Sequence, residues 1–405
     1  MERLPLSRRR WLGLMMAALP LVATAQAPVP ADTAKADTVN IDYATDRDVG
    51  ELTPEFLFYE QMPTGVTVTQ DGRTFVSYPR WEAGVRYTVA ELKNGKAVPY
   101  PTLEFNSPDV AHPSESLISV QSVIAPGDGH VWLLDTGRLP KAGYQASGLL
   151  DNGAKLVAVN LETQRIDRTI VLPDQAILDK TYLNDVRFDF SQGKKGVAYI
   201  TDSGAGAIIV VDLATGEAWR KLDAHPSTQA DPEFVPVVEG ERLTLDTYSK
   251  EEDIRRVPSD GIALSPDGTT LYYSPLSGRH LFSVPTRLLR KRDVPASQVA
   301  EAVTDHGSKG GASDGLLMDA SGRLYATDYE HNSIHRYDPD SGEWVTLAHD
   351  PRLLWPDTLT LGPKGELYVI ANQLHRQAKY QGKDMRHTPY VLFSTPVDAR
   401  PIGLR

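Results

Sequence analysis

Three aspartates occupy the same place in a short segment that recurs along the chain. Asp260 begins DGIALSPDG, Asp314 begins DGLLMDASG and Asp357 begins DTLTLGPKG. Carboxylates that a fold brings together repel one another, so such a set binds a cation or keeps a proton on one member. A cation would be Ca²⁺ or Mg²⁺, which prefer oxygen ligands. A retained proton suits general acid–base catalysis, and a third interpretation gives each Asp only hydrogen bonds to its own turn.

Three further copies begin with uncharged polar residues: TGVTVTQDG at Thr64, QSVIAPGDG at Gln121 and NDVRFDFSQG at Asn184. In five of the six copies a glycine follows eight positions after the first residue, and the Asn184 copy has one additional residue before its glycine. An alternating apolar strand precedes each glycine and an aromatic-bearing strand follows it. This pattern predicts a β-hairpin in which one face of each strand is buried.

Further strands follow several hairpins, so that each copy supplies three or four antiparallel strands, the size of a propeller blade. The sequence therefore predicts an all-β, single-domain, six-bladed β-propeller over residues 51–400. The last strand, Tyr390 to Pro396, is expected to pair with residues near Glu55 to Glu60 and close the ring, which removes exposed sheet edges. The acidic, proline-rich insertion from Asp223 to Pro258 is expected to lie over one face.

The first strand of each propeller blade lines the central channel, so the six opening residues are predicted to form a polar ring at one mouth. We expect Asp260, Asp314 and Asp357 to be catalytic, and Asn184, Asp260 and Asp314 to be the ligands of a divalent cation. Asp135, Asp202 and Asp328 end second strands and are expected to cap turns. The predicted ligand-binding residues are Thr64, Gln121, Asn184, Arg279, His280, Asn372 and His375.

Composition excludes several functional classes. The chain has 405 residues and no cysteine, so thiol catalysis and thiolate metal sites are excluded. Residues 1–25 contain four basic and one acidic side chain, and their removal changes the net charge from −11 to −14. Such a surface disfavours nucleic acid and anionic membranes. No HExxH motif is present, which argues against a zinc protease.

The beginning of the chain has the pattern of an export signal. Arg8, Arg9 and Arg10 precede an apolar run, and Ala23-Thr24-Ala25 supplies a small-residue cleavage site. SRRRWL at residues 7–12 is similar to the twin-arginine motif. We predict an export signal over residues 1–25, a linker over residues 26–50, and a periplasmic or secreted protein that has no membrane contact after cleavage.

Several longer segments resemble the yellow and major royal jelly protein family, which is related to the senescence-marker and gluconolactonase propellers. They are VWLLDTG (131–137), YLND (182–185), AYITDSGAGAIIVVD (198–212), GIALSPDGTTLYYSPLSGRHLFSVPTRLLR (261–290) and WPDTLTLGPKGELYVIANQLHR (355–376). The resemblance extends over residues 55–398 and implies a six-bladed fold. Members of the family resemble dopachrome-converting enzymes, nutritional proteins and carriers of aromatic amines.

The resemblance also bears on a metal. The related lactonases hold a divalent cation with a Glu in the first blade and with Asn or Asp side chains in later blades. Asn184, Asp260 and Asp314 match the later positions, whereas Thr64 stands where the pattern has Glu. We therefore expect an exported propeller that binds a small molecule at its channel mouth. It is either a lactonase-like or dopachrome-tautomerase-like enzyme, with or without a divalent cation, or a non-catalytic carrier of aromatic or aminated ligands.

Overall fold

The computed structural model describes residues 48–140, 148–243 and 256–403. The predicted export signal and residues 26–47 of the predicted linker lie outside the described residues. Described residues begin with a short extended segment and strand β1 (Thr53–Phe58). The strands of the described residues, β1 included, form six small antiparallel sheets of four strands each and one two-stranded hairpin. The predicted all-β, six-bladed β-propeller is confirmed.

The first three blades follow one another along the chain, each running from an innermost to an outermost strand. Blade 1 consists of β2 (Gly65–Val68), β3 (Thr74–Ser77), β4 (Val89–Lys93) and β5 (Lys96–Pro99). Blade 2 consists of β6 (Val120–Ile124), β7 (His130–Leu139), β8 (Gly148–Asn160) and β9 (Ile166–Val171). Blade 3 consists of β10 (Leu183–Asp189), β11 (Val197–Asp202), β12 (Ala207–Asp212) and β13 (Ala218–Lys221).

The insertion carries the hairpin of β14 (Val237–Val238) and β15 (Glu241–Arg242). Blade 4 consists of β16 (Ser259–Leu264), β17 (Thr270–Pro275), β18 (His280–Pro285) and β19 (Thr304–Ser308). Blade 5 consists of β20 (Leu316–Met318), β21 (Leu324–Asp328), β22 (Ser333–Asp338) and β23 (Glu343–His349). Blade 6 consists of β24 (Pro356–Leu361), β25 (Glu366–Ala371), β26 (Tyr390–Pro396) and, as its outermost strand, β1.

Helices are short within the described residues. The α-helices are α1 (Thr286–Leu289), α2 (Ala296–Glu301) and α3 (Ala378–Gln381). The 3₁₀ turns are Pro113–Glu115, Asp174–Ala176, Pro226–Thr228 and Leu374–Arg376. No helix in the described part of the chain is both long enough and apolar enough to span a membrane.

The ring closes through the two ends of the propeller chain. Strand β1 pairs antiparallel with β26, with Thr53 opposite Ser394 and Phe58 opposite Tyr390. The predicted pairing of the last strand with residues near Glu55 to Glu60 is therefore confirmed. Because β1 completes blade 6, the sheet contains the start and the end of the propeller, and backbone hydrogen bonds hold them together.

The apolar core is divided among the contacts between neighbouring blades. Between blades 2 and 3 the Trp132 ring lies 4.9 Å from that of Phe188, next to Ile200 and Ile209. Between blades 3 and 4 Tyr199 packs with other buried apolar residues of both sheets. Middle strands are buried on both faces, which explains why β12 reads as the unbroken apolar run AIIVV instead of alternating.

The six innermost strands surround the channel and start at the same end, which we call the upper mouth. Their opposite ends form the lower mouth. Glycines allow the upper ends to approach closely: a Cβ on Gly261 would come 2.6 Å from the backbone oxygen of Asp314, and one on Gly315 would come 2.4 Å from that of Asp357. The Gly of each DG dipeptide is therefore required by the neighbouring strand.

The insertion lies at the upper mouth, as far as it is described. Phe234, Val238 and Val257 belong to one buried cluster with Trp355 and Tyr329. Trp355 precedes the innermost strand of blade 6, and Tyr329 follows the second strand of blade 5. The expectation that the insertion covers one face is confirmed for residues 223–243 and 256–258.

Removal of one closing side chain should weaken the ring. Phe58 is 3% exposed and its ring lies 6.2 Å from that of Tyr78, whereas the adjacent Tyr59 is 63% exposed. We expect Phe58→Ala to lower the free energy of unfolding by about 3–5 kcal/mol, because it leaves a cavity in the core. Tyr59→Ala should change it by less than about 0.5 kcal/mol. Urea unfolding of both variants checks this, and equal effects would contradict the closing role of Phe58.

Candidate functional site

The opening residues of the blades meet in pairs at the upper mouth. Asn184 Nδ2 lies 2.5 Å from Asp260 Oδ1, which joins blades 3 and 4. The carboxyl groups of Asp314 and Asp357 share a hydrogen bond, which joins blades 5 and 6. Gln121 accepts a hydrogen bond from the Tyr182 hydroxyl at 2.8 Å. The predicted catalytic and metal-binding residues are thus held next to one another at this mouth.

Asp314 and Asp357 form an acid pair. Asp357 is only 5% exposed, and burial, followed by the charge of Asp314, raises its pKa well above the usual value. Asn372 Nδ2 donates to Asp357 Oδ2 at 2.7 Å. Trp355 Nε1 donates to Asp314 Oδ2 at 2.7 Å. Burial and the charge of Asp314 therefore both favour the protonated form of Asp357.

Trp355 fixes the orientation of this pair. Its backbone is left-handed (φ 56°), and its side chain is 1% exposed. The indole stacks on Tyr329 with ring centroids 4.1 Å apart and an interplanar angle of 11°. Packing on both sides maintains the unfavourable backbone conformation, as is common next to functional residues. The indole N–H is thereby aimed at Asp314.

The insertion is connected to the same pair through His375. Glu239, in the turn of the β14–β15 hairpin, lies 2.6 Å from His375 Nε2 and 2.8 Å from Arg376 Nε. Hydrogen bonds from His375 and Arg376 lower the pKa of Glu239 to about 2, so the contact is ionic at neutral pH. His375 stacks on Trp355 at 5.9 Å between ring centroids. The cover over the mouth therefore contacts the residue that positions Asp314.

Below the ring of opening residues, Arg187 crosses the channel. Its Nη1 pairs with Asp185 at 2.9 Å on its own strand, and its Nη2 donates to the backbone oxygen of Leu316 in blade 5 at 2.7 Å. Ser122 Oγ donates to Asp185 at 2.7 Å from blade 2. Three blades are thus joined across the channel.

Several polar atoms of the upper mouth are buried without a hydrogen-bond partner. They include Thr64 Oγ1, Ser259 Oγ, Ser313 Oγ and His375 Nδ1. Ser259 and Ser313 directly precede Asp260 and Asp314 in the chain. An unpaired buried polar atom costs free energy. Four such atoms are therefore concentrated at the upper mouth.

Sequence comparison assigns the chain to a family. The model of the family described as "Major royal jelly protein" matches residues 118–396, more than half of the chain. The chain belongs to the major royal jelly protein family. The resemblance read from the sequence segments is thereby confirmed.

Named relatives of this royal jelly family member are insect proteins. The yellow-related salivary protein LJM17 of Lutzomyia longipalpis is 24% identical over 364 residues, which cover 80% of each chain. Protein yellow of Drosophila melanogaster is 25% identical over 261 residues, which cover 60% of this chain but 44% of that protein. A solved luciferin-regenerating enzyme is 12% identical with a TM-score of 0.53 and covers 87% of this chain and 98% of the other; this likeness shows the fold alone.

The other predicted ligand-binding residues have different positions in this royal jelly family member. Arg279 reaches the insertion side of the upper mouth, where it pairs with Glu330 at 2.7 Å and lies over the ring of Phe234. His280 does not reach the mouth: it starts the third strand of blade 4, and its imidazole pairs with Asp305 of the outermost strand at 2.9 Å. The expectation of a ligand contact from His280 is corrected, because a third strand is displaced outward from the channel.

The three predicted turn caps are buried carboxylates. Asp135 accepts from the backbone N–H groups of Ile118 and Ser119, and Asp202 and Asp328 accept from backbone N–H groups in the same way. Each also pairs with a cation or imidazole: Lys155, Arg220 and His335, respectively. The capping interpretation fits all three, since every carboxylate is satisfied within the fold.

Sequence reasoning missed three residues that the structure places around the mouth. Trp355 begins one of the family-like segments (355–376), but neither Trp355 nor Glu239 belongs to the repeated segment, so the repeat did not assign either of them to the mouth. Lys309, in the loop GSKGGAS, is completely buried and donates to Ser274 Oγ at 2.8 Å; burial lowers its pKa to about 7. Blade 4 has Pro275 where blades 2, 3 and 5 have a carboxylate, which explains why this buried lysine has no hydrogen-bonded acid.

The donor atoms fit a divalent cation poorly. Asp314 Oδ2 accepts from an indole and its carboxyl group shares a hydrogen bond with Asp357, while Asp260 Oδ1 accepts from the Asn184 amide. Residues 48–140, 148–243 and 256–403 contain no group of three or more His, Asp or Glu side chains that is placed to hold a metal ion. The cation at Asn184, Asp260 and Asp314 stays a prediction.

The acid pair should make stability depend on pH. Above about pH 4 an unfolded Asp has lost its proton. Folded Asp357 keeps its proton, so stability falls as pH rises toward its folded pKa, with a slope of up to about 1.4 kcal/mol per pH unit. We expect Asp357→Asn to remove this slope and to be as stable as wild type, or more so, at pH 7. Urea unfolding midpoints between pH 4 and pH 8 measure the effect.

Asp135→Asn is the matched control for this experiment. Asp135 is fully buried but pairs with Lys155 at 2.8 Å, so the substitution leaves an uncompensated buried charge. It should destabilise the protein by about 3–5 kcal/mol at pH 7. A similar loss at pH 7 in Asp357→Asn would mean that Asp357 is ionised in the folded protein.

Proposed function

We propose that this protein is an exported enzyme that moves a proton within a small cyclic organic molecule bound at the upper mouth. The observation that carries the proposal is the buried Asp314–Asp357 pair, in which the pKa of Asp357 is raised well above its usual value. A pair of carboxyl groups with one proton contains an acid and a base side by side. General acid–base catalysis requires both functions.

Each member of the pair has a separate role. Asp314 is partly exposed, whereas Asp357 is buried. Asp357 keeps its own proton and donates a hydrogen bond to Asp314 throughout. Asp314, as the carboxylate, takes a proton from one substrate atom and returns it to a second substrate atom, so no net proton is gained or lost. Tautomerisation, as in dopachrome conversion, has this balance.

The neighbouring residues are suited to maintain these roles. Trp355 Nε1 at 2.7 Å from Asp314 Oδ2 stabilises negative charge on Asp314. The burial of Asp357 disfavours its charged form. Asn372 holds Asp357 with one N–H and donates with the same amide group to the backbone oxygen of Pro63 at 3.1 Å, across the closure of the ring. A lactone hydrolase would use the same acid and base, with water as the nucleophile.

The second candidate function is carriage of an aromatic amine without chemistry. It is favoured by the aromatic groups near the carboxylates: Trp81 Nε1 donates to the Tyr182 hydroxyl at 2.5 Å, and both side chains are partly exposed. Aromatic faces next to carboxylates attract a protonated amine. In this function Asp314 and Asp260 supply negative charge and no proton transfer occurs.

Export is part of the proposal. Arg8 to Arg10, the following apolar run and the small residues before position 25 support a cleaved signal of the twin-arginine type. A cysteine-free protein needs no oxidative folding on either side of a membrane. We expect Arg8→Lys with Arg9→Lys to retain the full-length precursor in the cytoplasm, whereas wild type is recovered processed in the periplasm or the medium. If both proteins were cleaved equally, the signal would be a general secretory signal and not one of the twin-arginine type.

The catalytic proposal predicts a loss of activity from either carboxyl group. Purified wild-type protein should convert dopachrome, or hydrolyse a lactone such as δ-gluconolactone. Asp314→Asn and Asp357→Asn should each lower kcat by about 10²–10⁴-fold, which is the usual contribution of a general acid or base. Spectrophotometric rates between pH 4 and pH 9 should give a bell-shaped profile that both variants abolish.

Asp305→Asn is the control, because Asp305 pairs with His280 on the outer part of blade 4. It should retain full activity. Wild-type activity in Asp314→Asn would overturn the acid–base role. The carrier function would be favoured if wild type showed no turnover but bound dopamine, and if Asp314→Asn no longer bound it.

The predicted cation is tested by metal analysis and calcium titration of wild type and Asp314→Ala. Equal and negligible metal contents in the two proteins would rule out the cation.

A further inference from the structure

The lower mouth contains a cavity of about 270 Å³ that is distinct from the acid pair. We propose that this cavity is a second binding site, which takes a small, largely apolar molecule that is neutral or cationic. The proposal does not depend on chemistry at the upper mouth. It concerns the opposite ends of the same six innermost strands.

All six blades contribute to the wall. Val68, Ile124, Phe188, Leu264, Met318 and Leu361 lie at or near the ends of the six innermost strands and supply apolar surface. Thr67 Oγ1 accepts from the backbone N–H of Ala125 at 3.0 Å, which ties blades 1 and 2 at this end. A concave, mainly apolar wall with a few fixed polar groups is the usual form of a small-molecule site.

The end of the described chain forms part of the rim. Pro401, Ile402 and Gly403 line the cavity, and Ile402 packs against the apolar cluster between blades 4 and 5. The backbone N–H of Ala320 donates to the Arg400 oxygen at 2.9 Å, so this segment is fastened to the turn of blade 5. The C-terminal segment thereby extends the wall beyond the depth that six hairpin turns provide.

Arg187 forms the inner boundary of the cavity. It lines the cavity and also donates to the Leu316 oxygen at 2.7 Å across the channel. Its charge is compensated by Asp185 at 2.9 Å. A molecule that enters from the lower mouth therefore meets an ion pair, and neither Asp314 nor Asp357 lines the cavity.

The remaining charges select against anions. Asp189 is 6% exposed and lines the cavity; its Oδ1 accepts from the Ser191 N–H at 3.0 Å, whereas its Oδ2 has no hydrogen-bond donor. The nearest cation is Arg290, at 3.9 Å. Asp267 is at the rim, and hydrogen bonds from Ser265 and Thr269 lower its pKa, so it is ionised at neutral pH. A ligand carboxylate would be repelled, and a ligand N–H or O–H would suit Asp189.

The volume of the cavity suits a small molecule. At about 30 Å³ per water, the cavity has the volume of roughly nine water molecules. It is too small for a helix or a strand of another protein, and it lies near the lower end of known small-molecule sites. An apolar molecule of two fused aromatic rings with one donor group matches its volume, its lining and its charge.

Dansylamide is a suitable probe, because it is neutral, largely apolar and fluorescent when removed from water. Wild type should bind it saturably at one site. Pro126→Trp, which places an indole at the rim, should weaken binding at least tenfold. Ile402→Asp, which adds a carboxylate at the C-terminal rim, should weaken it at least threefold. Dansylglycine, which adds a carboxylate to the same dye, should bind wild type at least fivefold more weakly than dansylamide.

Two variants serve as controls. Pro339→Trp makes the same change at a half-buried turn proline of blade 5 that does not line the cavity. Asp314→Asn alters the upper mouth. Both should bind dansylamide within twofold of wild type, with thermal unfolding used to verify that all variants are folded. The proposal is overturned by absence of saturable binding in wild type, by unchanged affinity in the rim variants, or by loss of binding in Asp314→Asn.

Discussion

The close approach of six strand ends around one channel is the constraint on which the upper mouth depends. Each innermost strand begins with a polar residue, and the following position must be small where the neighbouring backbone lies within van der Waals reach. Gly261 and Gly315 meet this requirement, since any larger residue would collide with the backbone oxygen of Asp314 or Asp357. Because the ends of the innermost strands lie so close together, the side chains of neighbouring opening residues contact one another. The charge of Asp314 and the burial of Asp357 then both raise the pKa of Asp357.

A second level of organisation lies outside the innermost strands. Carboxylates at the ends of the second strands in blades 2, 3 and 5 accept from backbone N–H groups and each contacts a basic side chain. These interactions satisfy the carboxylates within one blade, whereas burial raises the pKa of Asp357 at the mouth. Trp355 connects both levels, because it stacks between Tyr329 and His375 and donates to Asp314.

The fold was largely predictable because each blade repeats its own strand, glycine turn and aromatic strand. The closing partner of Tyr390–Pro396 could also be predicted, since an unpaired edge would otherwise have remained. The pairing of opening residues within the ring could not be predicted. Six opening residues are equivalent by repetition, and the choice of Asp314 with Asp357 depends on Trp355 and Asn372, which the repeat does not contain. The lower cavity was hidden for the opposite reason: its wall consists of ordinary apolar strand residues.

The pairing of β1 with β26 has a consequence for the order in which the chain folds. Phe58 and Tyr390 are opposite one another in the sheet although more than 300 residues separate them. Such contacts raise the mean sequence separation of interacting residues, which slows folding because long loops must close before the contact forms. Blade 6 therefore cannot be completed during synthesis until the last strand has emerged, and until then β1 is an unpaired edge that invites association with another chain.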